Sequence, residues 1–136
     1  GELRAEPGLI APAVEEFLRL ESSNQLGNRR AARDTALGGV PMRAGTYVHI
    51  GIGAANRDPA QFSDPDRLDL RRHPNRHLAF GSGIHACAGM WLARMEGQSA
   101  INALLRRLPE PRLAADKLEW GGSFILRGLK SLPVTF

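Results

Sequence analysis

Apolar positions in APAVEEFLRLESS recur with a helical period. Val14, Phe17, Leu18 and Leu20 fall on one side, and Pro12 sits in the first turn, where its missing N–H costs nothing, so a helix is predicted over 11–23. The pattern then shortens. Leu26 to Ala32 reads as one strand, GGVPMRAG as a pair of turns around a short segment, and Thr46 to Ile50 as the clearest β run. The remainder of the 26–76 region is rich in Asp, Asn, Pro and Arg, and its Phe62, Leu68 and Leu70 predict that it packs against a body rather than staying loose. A second, longer helix is predicted over 88–108. It presents Met90, Trp91, Ala93, Ala100, Ile101, Leu104, Leu105 and Leu108, and Pro109 and Pro111 stop it. Residues 112–136 read as two short strands around a turn at Gly128 to Ser131, with Pro133 excluded from a central strand. The class is α+β. Two helices apolar on more than one side, with only short strands beside them, do not close a core among themselves, so the chain reads as part of a larger body.

Composition sharpens this. At 136 residues there is room for one core, and 43% hydrophobic with 24% charged residues describes an ordered chain. Lys and Arg number 18 against 14 Asp and Glu, a net charge of +4 spread along the sequence. No basic block interleaved with aromatics points to nucleic acid. No apolar run reaches the roughly 20 residues that span a bilayer, and the first residues lack a secretion signal, so the expected location is the cytoplasm. The single cysteine excludes an internal disulfide and a multi-cysteine zinc site.

That cysteine organises the rest. In HLAFGSGIHACAGMWLARMEG, residues 77–97, an apolar approach, glycines, His85 and Cys87 run into the second helix. A cysteine just before or at a helix start meets unpaired N–H groups and the positive end of the dipole, which favour thiolate. Taken alone, without its setting, a single cysteine reads first as a small, inert, buried hydrophobe. A nucleophilic thiol enzyme lacks a supporting acid/base histidine constellation.

Phe80, Gly83, His85, Cys87 and Gly89 form F-x-x-G-x-H-x-C-x-G, which resembles the haem-binding loop of the cytochrome P-450 family. Glu16-Phe17-Leu18-Arg19 resembles its E-x-x-R helix. Ala55 to Pro59 with Phe62 and Asp64 to Leu68 resembles the bacterial segment before the haem loop, and Arg127 to Val134 the bacterial C-terminus. The similarity runs from Ala13 onward and looks like the last third of a member. The implied fold is the C-terminal part of the mainly helical cytochrome P-450 fold, with two principal helices, short strands and a cysteine-bearing haem loop at 77–89.

The resemblance also implies a site. Cys87 would ligate the iron of haem b, with Phe80, Gly81, Gly83 and Gly89 shaping the loop, and His85 and Arg29 would meet the propionates, Arg30 being second choice for the latter. Glu16, Arg19 and Arg67 would form a buried ion network, although Glu16 and Arg19 by spacing alone also read as a surface pair. Arg94, Arg71, Arg72, Arg76 and Arg33 would belong to a positive surface that meets a ferredoxin-like electron donor. The implied activity of the complete protein is insertion of one oxygen atom from O2 into a small organic substrate. The fragment itself is expected to be inactive, needing a missing N-terminal part or self-association to complete its core. The rival reading is a non-enzymatic haem-binding or structural remnant that oligomerises.

Overall fold

The computed structural model describes residues 1–136. A short helix α1 (Glu2–Ala5) and a 3-10 turn (Pro7–Leu9) lead directly into α2 (Ile10–Leu20). Ile10, Ala13 and Val14, at i, i+3 and i+4, are buried. The expected apolar stripe continues differently: Phe17, Leu18 and Leu20 are only half-buried, and the fully enclosed positions further along the helix are Glu16 and Arg19. Helix α2 stops at Leu20, short of the expected 23. The Ser22 hydroxyl turns back to donate to the carbonyls of Leu18 (2.8 Å) and Arg19 (3.3 Å), satisfying acceptors that a further turn would have used.

Strand β1 (Leu26–Arg30) pairs antiparallel with β4 (Tyr47–Gly51), placing Asn28 opposite His49 and Arg29 opposite Val48. Between them β2 (Thr35–Leu37) and β3 (Val40–Met42) make a tight hairpin. Its turn residues Gly38 and Gly39 have φ of 56° and 79°, the left-handed pair that a two-residue hairpin requires. After the one-turn helix α3 (Ile52–Ala55) the chain runs irregularly to Ser82, then through a 3-10 turn (Gly83–His85) into α4 (Met90–Arg107). Leu108 precedes Pro109 and is extended (φ −112°, ψ 103°), as the proline ring forces, and this ends α4. Arg4 donates from Nη2 to the carbonyls of Leu105 and Leu108, both at 2.6 Å, so α1 caps the far end of α4.

The C-terminal segment differs from expectation. Gly128 lies within a strand: β6 (Trp120–Gly122) pairs with β7 (Arg127–Leu129), and the turn falls at 123–126. Strand β5 (Arg112–Leu113) pairs with β8 (Val134–Thr135).

The apolar core is small, consisting of Leu9, Ile10, Ala13, Val14, Ile52 and Phe62. Glu16, Arg19, Ser22 and Asn56 are equally enclosed, so a polar network binds α2 to the irregular segment. The class is thus α+β with short helices and strands. The expected cysteine-bearing haem loop is corrected: residues 77–89 fold as turns in which Cys87 is exposed, and no group of three or more His, Cys, Asp or Glu side chains able to hold a metal ion is formed.

Candidate functional site

The site starts from a carboxylate. Glu16 accepts from Arg19 Nε (2.8 Å) and Nη2 (2.9 Å), from the Asp69 N–H (3.0 Å), from Arg72 Nε (3.1 Å) and from Asn75 Nδ2 (3.1 Å). Burial opposes ionisation of Glu16. The bonds from Arg19, Asp69 and Arg72 outweigh it and hold the carboxyl below its ordinary value. Arg19 spends its remaining donors on the carbonyls of Asn56 (2.8 Å), Pro65 (2.7 Å) and Arg67 (3.4 Å), and its guanidinium stands 5.1 Å from the Phe62 ring centroid. The cation paired with Glu16 from the irregular segment is therefore Arg72, whose side chain is nearly enclosed. Arg67, the expected partner, contributes its backbone carbonyl, which accepts from Arg72 Nη2 at 3.2 Å and from Arg19 Nη2 at 3.4 Å. The chain between Arg67 and Arg72 bends at an Asp69 turn, which brings the later arginine inward.

Asn56 carries this framework to the next segment. Its Nδ2 donates to Ser22 Oγ (2.6 Å), and its Oδ1 accepts the Leu78 N–H (2.7 Å) at the entrance to the cysteine segment. The Cys87 N–H donates to the Phe80 carbonyl (2.8 Å) and the Met90 N–H to the Cys87 carbonyl (3.2 Å). Cys87 thus lies three residues ahead of the first residue of α4. Gly81 (φ 70°) and Gly83 (φ 69°) occupy left-handed conformations that exclude most side chains. Gly89 does not: its φ is −86°, and an added Cβ would stand 3.9 Å from Cys87 Sγ, an ordinary contact.

Arg29, Phe80, Gly81, His85 and Cys87 all line one open cavity of about 560 Å³, whose apolar wall includes Ile50 and Ile52. Gly83 and Gly89 are outside that lining. The strand separates the two candidate arginines. Arg29 faces the cavity and donates only to the neighbouring Asn28 carbonyl (2.9 Å), whereas Arg30 is engaged by the Gly45 carbonyl (3.2 Å) and lies over Tyr47.

Glu15 has no role in the sequence-based expectations, yet it joins His77, at the start of the cysteine segment, to Arg94 of α4. Glu15 accepts a fork from Arg94, Nε at 2.7 Å and Nη2 at 2.8 Å, and meets His77 Nε2 at 3.1 Å. The Arg94 bond is the main cause of a Glu15 pKa below the ordinary carboxylate range. Arg72 is a nearly enclosed cation and Arg94 a half-buried one, each paired to a carboxylate of α2 rather than standing free on a positive surface. The alternation of Glu15 and Glu16 on one helix was the available signal, since adjacent carboxylates point toward different neighbours.

The expected haem centre is corrected on the same ground. Beside the cavity the donor set is one exposed thiol and one imidazole, no cluster of metal-ligating side chains gathers, and the cavity is open. These residues do not form an enclosed haem-thiolate site in this chain, and the haem b, iron and metal-binding expectations are withdrawn with it.

Comparison with known proteins fixes the family. Residues 8–109 match the family model Cytochrome P-450. The chain is 49% identical to the biotin biosynthesis cytochrome P-450 of Bacillus subtilis over 99% of its own length and 34% of the relative's. It is 47% identical to the polyketide biosynthesis cytochrome P-450 PksS of the same species, over 98% and 34%. The solved structure of P450BioI with acyl carrier protein ligated by hexadec-9Z-enoic acid superposes with a TM-score of 0.95 at 50% identity, covering 99% of this chain and 35% of that one. The chain belongs to the cytochrome P-450 family, in its bacterial form. It spans about a third of the length of the relatives it matches. The comparisons support a bacterial-type family fragment, and the narrower expectation of a C-terminal haem-binding portion does not stand as a formed metal centre. No helix is long and apolar enough to cross a membrane.

Proposed function

We propose that this chain is a structural, non-catalytic portion of a cytochrome P-450-type body that associates with a second copy through apolar faces its own fold leaves uncovered. The observation that carries the reading is α4: 18 residues long, it buries none of them. Trp91, Leu92 and Met95 share one side of the helix by spacing and are 72%, 53% and 60% exposed. Apolar surface of this kind is stabilised by burial, roughly 1.5–3 kcal/mol for a large side chain. The family relationship supports an electron donor and an organic substrate as partners of a complete member, and the net charge of +4 favours an acidic, ferredoxin-like donor. The exposed, unpaired Cys87 thiol suits a reducing compartment and supports the cytoplasm.

Sedimentation equilibrium over a hundredfold concentration range tests this. The mass is expected to rise from 14.8 kDa toward twice that value, and Trp91→Lys should weaken association about tenfold or more. A constant 14.8 kDa throughout the range overturns the proposal.

A further inference from the structure

The cysteine segment is fastened to both long helices by three side chains that the ion network around Glu16 does not use. Glu15 on α2 holds the Arg94 fork from α4 and His77 Nε2 from the start of the segment. The His77 side chain is 3% exposed. Its other nitrogen, Nδ1, accepts the Ala79 N–H at 3.2 Å. An ionised carboxylate only accepts and an amide N–H only donates, so the ring is used as the neutral tautomer with its proton on Nε2. Arg94 in turn stacks on Phe80 (4.8 Å) and Trp91 (5.3 Å), and the Phe80 carbonyl receives the Cys87 N–H. A continuous set of contacts therefore runs from His77 to Cys87.

We infer that Glu15, His77 and Arg94 form a proton-sensitive clamp that positions the Phe80–Cys87 loop, holding it against α2 and α4 while His77 is neutral and releasing it on protonation. A proton added at Nδ1 would point at the Ala79 N–H, replacing an attraction by a repulsion. Charges face the ring from every side: Glu15 and Arg19 on α2, and Arg94 on α4. Burial pushes His77 below the usual histidine range. The hydrogen bond and charge of Glu15 oppose this, and Arg94 and Arg19 add to it. The unfolded chain thus takes up the proton first. The clamp's contribution is complete above the unfolded value of 6.5 and is lost as pH falls through the lower folded value.

The test is NMR of the full 136-residue chain from pH 8 to 4, following the His77 ring and exchange of the Ala79 and Cys87 amides, corrected for intrinsic rates. The amides are expected to lose protection about tenfold with the midpoint of the His77 ring. Glu15→Gln should lower that midpoint and Arg94→Gln should raise it, opposite shifts that a merely structural role would not give. Protection unchanged through the His77 titration, or variants that leave the midpoint where it was, overturns the clamp. Should both variants fail to fold, coincidence or separation of the two wild-type midpoints decides.

Discussion

Glu16→Ala is expected to destabilise the chain by about 3–5 kcal/mol, a large share of the roughly 5–15 kcal/mol that holds a typical domain together. The side chain is fully enclosed and is the common acceptor for Arg19, Arg72, Asn75 and the Asp69 N–H. Removing it leaves the Arg19 charge buried with carbonyls for company, and it cuts the irregular segment from α2 at several points together. Urea unfolding reads the effect, and a loss below about 1 kcal/mol would show the network to be peripheral. Acid should imitate the substitution. Because the folded carboxyl is held below its ordinary value of 4.5, its stabilisation is complete above that value and is lost as pH falls through the folded one. Stability of Glu16→Ala should accordingly depend less on pH in the acid range.

The second large effect is at Phe62. It is 4% exposed, supplies the aromatic face beneath Arg19, and belongs to an apolar core of very few residues. Phe62→Ala should cost about 3–5 kcal/mol. Phe62→Leu, which keeps most of the volume and removes the ring face, should cost about 2 kcal/mol or less. Equal urea midpoints for wild type and Phe62→Ala would contradict the packing described here. Additivity of Phe62→Ala with Glu16→Ala is not expected, since Arg19 touches both.

What the sequence made legible follows from how local each signal was. The Glu16–Arg19 spacing places both groups on one helix, and of the glycines expected to shape the loop Gly81 and Gly83 take left-handed conformations while Gly89 does not. Arg29, Phe80, Gly81, His85 and Cys87 do border one cavity. The resemblance implies Arg67 as the third member of the network, and in the fold its backbone carbonyl meets Arg19 and Arg72 while Arg72 supplies the second cation. The intervening chain is irregular and has no period from which to read which arginine turns inward. Hydropathy assigns Phe17 and Leu18 inward, where they are half-buried; the enclosed positions go to Val14 and to Glu16 and Arg19, the pair that the resemblance and not the hydropathy implies as buried. The haem expectation rests on a resemblance that runs from Ala13 onward, and residue types in the right order do not specify that the surrounding walls are present. Arg94 and Arg72 looked like surface charge because their partners, Glu15 and Glu16, lie far away in sequence.

Hydrogen exchange compared at low and high protein concentration tests the central claim most directly: a polar-cored body stable by itself, beside a long helix that needs a second copy. The Asp69, Leu78 and Phe62 amides are expected to be strongly protected at every concentration, while amides of Met90–Arg107 gain protection as concentration rises. A monomer whose α4 is as protected at the lowest concentration as at the highest would contradict it.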